Sequence, residues 1–311
     1  MVNPKKGHAL LRKRPALIYP FIHRHRLQFR VAKMCSLFGV SKSGYYEWTK
    51  RKESNRSKRR KQLEKWIRRI FLDSRRLYGS PKIWNALKHQ GVHVSQKTVA
   101  RMMKELGLKS RTVKKHKATT NSKHNMPVAE NVLNQAFTAE KPNQVWMADI
   151  TYIPTDEGWL YLASLEDLCT RKIVGFHMDE RMTKELCLKA LNQAYRLQKG
   201  NVLHHSDRGS QYASLDDQQR LRRYGMTSSM SRKGNGYDNA CIESFHSVLK
   251  KELVYLHKFK TRKEAREKIF EYITCFYNGK RIHFAIGILS QINTNVCFTK
   301  LRNFLCVQSI D

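Results

Sequence analysis

Acidic residues are scarce in this chain: 25 Asp and Glu stand against 60 Lys and Arg in 311 residues, a formal net charge of +35. Such an imbalance excludes the charge balance of an ordinary metabolic enzyme. It points to a polyanion as partner, because basic side chains gain affinity for DNA, RNA or an acidic membrane surface as counterions are released. Paired cysteines are missing too. Cys35, Cys169, Cys187, Cys241, Cys275, Cys297 and Cys306 are odd in number and widely spaced, with no C-x-x-C. That pattern excludes a secreted disulfide framework and fits a reducing cytoplasm. Long apolar runs are absent, since nothing reaches the roughly 18 residues that a membrane span requires. The apolar stretch at 16–22 is interrupted by Pro20 and followed by His23-Arg-His-Arg26, which is too short and badly flanked for a secretory leader. No acid precedes Glu47, as in an organellar transit peptide, but the basic character continues far beyond the length of one. His23 and His25 lack the paired cysteines of a zinc module, so no zinc is expected. What is present in quantity is apolar material, 41% of the chain, enough to bury a core and to exclude wholesale disorder.

The charge is unevenly distributed. Residues 1–120 hold 33 basic and 5 acidic side chains, a net +28, which leaves +7 for the remainder. The first part is therefore expected to grip the polyanion. Within it, Ser80-Pro81 offers a cap and an N-terminal proline for a helix running to about Gln90, where Gly91 stops it. Ser95 caps a second helix whose Val99, Met102, Met103 and Leu106 share one face, with Lys97, Arg101 and Lys104 among its polar positions. This pair reads as a helix-turn-helix with those three bases toward DNA, or as a plain helical hairpin; the charge density favours DNA. An earlier pair repeats the design, with a helix at 31–38, a Gly39-Val40 turn and a Ser41-capped stretch ending in Tyr45, Tyr46 and Trp48. Between the pairs, residues 50–69 are a nearly uninterrupted basic run suited to phosphate contact. Residues 114–129, rich in Lys, Thr, Asn and Ser without hydrophobic periodicity, read as a linker. The expected organisation is 1–55 basic helical segment, 56–125 helix-turn-helix domain and linker, 126–290 second domain, and 291–311 tail.

From Gln144 the texture changes. Residues 144–153, 159–165 and 172–178 are β-branched and aromatic runs that predict an antiparallel meander. A helix at 183–197, a strand at 202–207, a helix at 214–224, a strand at 226–230 and a helix at 239–253 follow. The order β-β-β-α-β-α-β-α predicts an α/β fold with a mixed sheet and helices on its faces. Three acids stand out by position: Asp149 inside the first strand, Asp207 at the tip of the fourth, and Glu243 in the last helix. Gly209 and Gly234-Asn-Gly236 flank two of them and let backbone approach a ligand. Three hard oxygen donors of this kind suit two-metal phosphoryl transfer with Mg²⁺, whereas acids near strand ends also cap helices or pair with lysines. Asp167 is the strongest competitor among the remaining acids.

Trp146-Met-Ala-Asp149-Ile-Thr-Tyr152, His205-Ser-Asp207-Arg-Gly-Ser-Gln-Tyr212 and Gly234-Asn-Gly-Tyr-Asp-Asn-Ala-Cys-Ile-Glu243-Ser-Phe-His-Ser-Val-Leu-Lys250-Lys-Glu252 together resemble the three blocks of the DDE catalytic core of bacterial insertion-sequence transposases. The nearest resemblance is to the second-frame (OrfB) product of the insertion-sequence-three family. The 35 residues between Asp207 and Glu243 match the spacing for which that core is named, and Lys250 occupies the basic position seven residues on. Tyr277-Asn-Gly-Lys-Arg-Ile-His283 resembles the family's closing motif, and Tyr78-Gly-Ser-Pro-Lys-Ile83 through Leu108 its helix-turn-helix domain.

The resemblance implies a ribonuclease-H-like five-stranded sheet, as in retroviral integrases, preceded by an all-α helix-turn-helix region. It implies that Asp149, Asp207 and Glu243 hold two Mg²⁺ ions, with Mn²⁺ able to substitute, and that Lys250 touches a phosphate. The reaction implied is cleavage at element ends followed by strand transfer by the freed 3′-hydroxyl, without a covalent enzyme intermediate. A homo-oligomer on DNA and a first-frame (OrfA) product or fused OrfAB polypeptide are the implied partners, in the bacterial cytoplasm beside the nucleoid. A DNA-binding regulator with an inactive second domain, or a nuclease that cuts without joining, are the competing readings. The pattern departs after His283, where Leu289-Ser-Gln291 replaces the family's Ser-Pro and the tail to Asp311 is atypical. That departure bears on activity more than on fold.

Overall fold

The computed structural model describes residues 15–111, 127–197, 201–283 and 289–290. The segments 112–126 and 291–311, which contain most of the expected linker and the atypical tail, lie outside the described residues. The chain divides into two compact units, Met1–Trp66 and Ile67–Asp311.

The first unit contains helices α1 (Pro15–His25), α2 (Val31–Phe38) and α3 (Lys42–Lys50). Helix α1 continues through Pro20 rather than breaking there, although the ring removes the N–H that would bond the carbonyl four residues before it. Gly39 closes α2 with a left-handed φ of 64°, and the Ser41 hydroxyl caps α3 by accepting from the Gly44 N–H. Ile18, Ile22, Met34, Cys35 and Tyr45 form the core of this unit.

Helix α4 (Asn55–Asp73) crosses the division at residues 66 and 67. The second unit continues with α5 (Ser80–His89) and α6 (Gln96–Glu105). Ser80 does not cap α5: Gly79 holds the N-cap position without a side-chain bond, and Ser80 is already helical ahead of Pro81. Ser95 does cap α6, accepting from the Thr98 N–H at 3.2 Å. Val99, Met102 and Met103 are buried on one face of α6, while Lys97, Arg101 and Lys104 are exposed. Tyr78, just before α5, donates to the Lys280 carbonyl at 3.3 Å and accepts from the Ile282 N–H at 2.8 Å, fastening this helical pair to the far end of its unit.

The sheet follows: β1 (Val145–Thr155), β2 (Gly158–Asp167), β3 (Ile173–Asp179), helix α7 (Lys184–Leu197), β4 (Leu203–Ser206), helix α8 (Leu215–Arg223), β5 (Thr227–Met230) and helix α9 (Ala240–Glu252). Its spatial order is β3-β2-β1-β4-β5, with β1–β2 and β2–β3 antiparallel and β1–β4 and β4–β5 parallel. This is the five-stranded mixed sheet that the sequence predicts. Side chains alternate between its faces. Trp146 and Ala148 of β1 join Ala163 and Leu165 of β2 against Leu186, Cys187, Ala190, Leu191 and Ala194 of α7. On the opposite face Met147 packs against Ile242 of α9, with Leu203 of β4 beside them. Helix α7 lies unusually close to the sheet because β3 carries Gly175: a Cβ there would stand 2.4 Å from the Ala190 carbonyl and 2.8 Å from the Ala194 Cβ.

Beyond α9 come α10 (Arg262–Glu271), a π-helical turn at Tyr272–Tyr277, and the short strands β6 (Ile282–His283) and β7 (Leu289–Ser290). They pack Tyr272, Ile273, Phe276 and Tyr277 into the interior. Glu252, at the last turn of α9, is gripped by Arg281 through bonds of 2.9–3.2 Å and by the Tyr272 hydroxyl at 2.7 Å. Lys82 of α5 approaches the same carboxylate at 4.0 Å. The end of the helix that bears Glu243 is thereby tied both to the closing segment and to the helical pair.

Candidate active site

Period-2 alternation places Asp149 on the Met147 face of β1, the face covered by α9. Ala148 pairs with Ser206 in the parallel β1–β4 ladder, so Asp149 and Asp207 each lie one residue beyond that pair, on neighbouring strands about 4.8 Å apart. Alternation likewise turns Asp207 toward the Leu203 face. Glu243 projects from the first turn of α9, whose buried residues Ile242, Phe245, His246 and Leu249 fix its rotation on the sheet. The three acids predicted from the sequence are therefore brought to one end of one sheet face. Asp149 and Asp207 are half-buried and Glu243 is exposed.

Their electrostatics combine desolvation and mutual repulsion with basic neighbours on α9. Desolvation, followed by the nearby negative charge of Asp149, raises the proton affinity of Glu243, and His246 offsets part of this. Burial lowers the pKa of Lys250, two turns along α9, while Asp149 draws it upward. The Lys250 ammonium lies 4.5 Å from the centre of the Tyr152 ring, a cation–π contact that holds it beside the acids. Beneath the aspartates, burial pushes up the Tyr212 hydroxyl and the Cys187 thiol, and the charges of Asp149 and Asp207 add to both shifts.

The donor set consists of carboxylate oxygens, which suits a hard divalent cation. The mutual repulsion of Asp149 and Glu243 is what such a cation would relieve, so the residues fit. As they stand, no group of three His, Cys, Asp or Glu side chains among the described residues is close enough to hold a metal ion. The three acids expected from the sequence thus share one end of one sheet face without forming a close ligand cluster.

Several hydrogen bonds keep the open set in order. The Asp149 Oδ1 accepts from the Ile150 N–H at 2.8 Å, and its Oδ2 lies 3.2 Å from the His246 Nδ1. The Asp207 Oδ1 accepts from the Gly209 N–H at 2.9 Å; a side chain on Gly209 would start 3.0 Å from that oxygen. Asn239 occupies the N-cap position of α9 without capping it, and its amide donates at 3.4 Å to the carbonyl of Ala148, the residue before Asp149. Asp238, beside it, is fully buried and receives bonds from Asn131, Gln135, Asn235 and the Arg232 backbone and guanidinium. The Arg232 guanidinium, ahead of burial and the other donors, holds the Asp238 carboxyl far below the usual carboxylate range.

The other candidate residues separate cleanly. Asp167 is buried, accepting from the Asn143 N–H and from the Thr170 N–H and hydroxyl at 2.6–2.8 Å, and it builds the turn after β2. It lies opposite Trp146, three residues from Asp149 along the ladder. Glu166 is also buried, and burial pushes it up to about 8, so it is mostly protonated at neutral pH. His205 packs between the Ser229 and Ser231 hydroxyls at 2.9 and 3.2 Å. Sequence reasoning missed His246 and the scaffold role of Asp238. Both lie between Gly234 and Glu252, and the signal present there is a histidine in phase with the buried Ile242–Leu249 face.

Comparisons with known proteins bear on the same residues. Two families, each described as integrase core domain, match residues 139–236 and 243–293, and one described as HTH-like domain matches residues 58–116. The chain is 47% identical over 259 residues to the insertion element IS600 uncharacterized 31 kDa protein of Shigella sonnei, covering 83% of this chain and 95% of that one. It is 41% identical over 276 residues to transposase InsF for insertion sequence IS3A of Escherichia coli (strain K12), covering 88% and 96%. Among solved structures, an HTLV-2 integrase catalytic core domain in complex with magnesium is 14% identical over 50% of this chain and 97% of that one, with a TM-score of 0.39.

Proposed function

The chain belongs to the transposases of the insertion-sequence IS3 family, and from that premise we propose that Asp149, Asp207 and Glu243 are its catalytic acids, holding two Mg²⁺ ions at the end of the sheet for DNA cleavage and strand transfer. The observation that carries this reading is a contrast among the acids of the core. Asp167 and Asp238 are buried and spend their oxygens on internal hydrogen bonds, whereas Glu243 is exposed and has its proton affinity raised by desolvation and by the charge of Asp149.

When bound, the two ions polarise the scissile phosphate and lower the pKa of the attacking hydroxyl or water. The chain's own residues do the rest. Asp149 and Asp207, set side by side on parallel strands, present oxygens in a fixed frame, and Glu243 closes on them from the helix. Lys250, steadied by Tyr152, places a positive charge where a phosphate of the element end would lie. Lys97, Arg101 and Lys104, exposed on α6, grip the DNA backbone or groove. In the first step water attacks phosphorus, the bond to the 3′-oxygen breaks and that oxygen leaves as a hydroxyl. In the second, the freed 3′-hydroxyl attacks a target phosphodiester and displaces its 3′-oxygen. No side chain is acylated or phosphorylated. The protein acts in the bacterial cytoplasm, as an oligomer on DNA and together with the first-frame product or as a fusion with it; no described helix is long and apolar enough to cross a membrane.

The test is incubation of the full chain, alone and with the first-frame product, with labelled element-end DNA and Mg²⁺ or Mn²⁺. Joined strands are expected. Cleavage without joining would make it a nuclease, and binding without either a regulator.

A further inference from the structure

His246 sits beside Asp149. It is buried, 5% exposed, and Ser164 is 0% exposed. A buried imidazole and a buried hydroxyl both need partners, and here they are each other's: His246 Nε2 lies 2.7 Å from Ser164 Oγ. The other ring nitrogen, Nδ1, lies 3.2 Å from Asp149 Oδ2. The carboxylate has no hydrogen to give, so the proton at this close contact belongs to Nδ1; in that neutral tautomer Nε2 accepts from the Ser164 hydroxyl. The register explains why these three meet. Asp149 and Ser164 are directly opposed across the β1–β2 ladder, so their side chains leave the sheet on the same face, the one covered by α9. His246 follows Glu243 by three residues on that helix, placing both over the same strip of sheet.

We propose that His246 is a positioning residue for the cation site: it fixes the Asp149 carboxylate through Oδ2 and, by way of Ser164, pins the helix that bears Glu243 to the strand pair that bears Asp149. The inference rests on the reading of Asp149 and Glu243 as the metal-holding acids. Its physical content is preorganisation. Asp149 has two free torsions; with Oδ1 on the Ile150 N–H and Oδ2 on His246, both are set before any cation arrives. The same ring fixes the rotation of α9, and so the arc through which Glu243 swings to close the set. The histidine acts through Asp149 and touches neither phosphate nor cation.

The test uses the full chain and two readouts. One is Mn²⁺ alone, titrated into protein without DNA and followed by the magnetic resonance signal of free Mn²⁺. The other is the Mg²⁺ midpoint for cleavage of element-end DNA. H246F, which keeps the ring's bulk and loses both nitrogens, should weaken Mn²⁺ binding about tenfold and raise the Mg²⁺ midpoint similarly, with metal-free DNA binding unchanged. H246N, whose amide reaches the Nδ1 position, should recover most of the loss, and S164A should show about a threefold effect. Wild-type metal behaviour in H246F, alongside loss of binding in D149N, would overturn the positioning role and leave the acid assignment standing. Wild-type metal behaviour in D149N would remove the acid assignment and this inference together. If H246F does not fold, S164A and H246N decide: an unaltered S164A with a severely impaired H246N overturns the proposal.

Discussion

Asp238 and Glu243 stand five residues apart in one motif, and their surroundings are opposites. Asp238 is fully buried, bonded on both oxygens, and held deprotonated by Arg232. Glu243 reaches solvent, has its proton affinity raised by desolvation and by Asp149, and leaves its oxygens for something outside the protein. The difference teaches how to tell a structural acid from a chemical one. Saturation marks the residue that shapes the loop; on the proposed reading, an exposed carboxylate with a negative neighbour marks one that holds a cation. The Asp238 latch draws the 131–135 segment, Arg232 and the Gly236–Asn239 turn together, and that turn sets where α9 begins and hence where Glu243 emerges.

The strongest way to break this comparison is to neutralise each class in turn. Asp207→Asn or Glu243→Gln should lower end cleavage by roughly 10³-fold while leaving DNA binding within a few fold and thermal stability unchanged or improved, as judged by gel assays, filter binding and melting. Parallel loss of binding would sink the ligand assignment. Asp238→Ala should do the reverse, costing about 3 kcal/mol of stability in urea titration, because six donated bonds lose their acceptor; lost cleavage at full stability would show that Asp238 belongs with the working acids. A smaller effect is expected from removing Lys97, Arg101 and Lys104 together. The salt dependence of DNA binding should flatten by about 0.9 in log–log slope for each phosphate no longer neutralised, with the cleavage rate of bound complexes unaltered.

Asp217 sharpens the contrast at the low end. It is buried in α8, its Oδ2 has no hydrogen-bond partner, and burial pushes it up to about 7. The folded state therefore holds this proton more tightly than the unfolded chain, and stability is lost as pH rises from about 4 towards 7. Asp217→Asn removes that loss, so the variant should gain on the parent in melting temperature between about pH 5 and pH 8. A constant difference across that range would place the Asp217 carboxylate in a polar setting after all.

Much of this molecule is legible in the sequence because its signals are local. The strands β1, β2 and β3 appear as β-branched and aromatic runs, and α6 as Val99, Met102 and Met103 on one face beneath a Ser95 cap. Asp149 stands out because a carboxylate on a largely apolar strand needs a reason, and Asp207 because it follows a short strand and precedes Gly209. What escapes is non-local. Ser164, the partner of His246, and Asn131 and Gln135, two of the partners of Asp238, are 82 to 107 residues away in sequence, and no pattern around either residue names them. The Ser80 cap is absent for a local reason, since the helix begins one residue early and Gly79 takes the boundary. The π-helical turn at Tyr272–Tyr277 lacks a pattern that separates it from the α10 helix it continues.

The order of elements along the chain has a consequence for timing during synthesis. The α5–α6 pair is complete by residue 105, whereas the last of the three acids is residue 243. At ribosomal rates of about 5–20 residues per second, that interval is roughly 7–28 s. A growing chain thus exposes its basic helical pair well before the last of the proposed catalytic acids is made, so on the proposed reading nascent protein can meet DNA as a binder before it can cut.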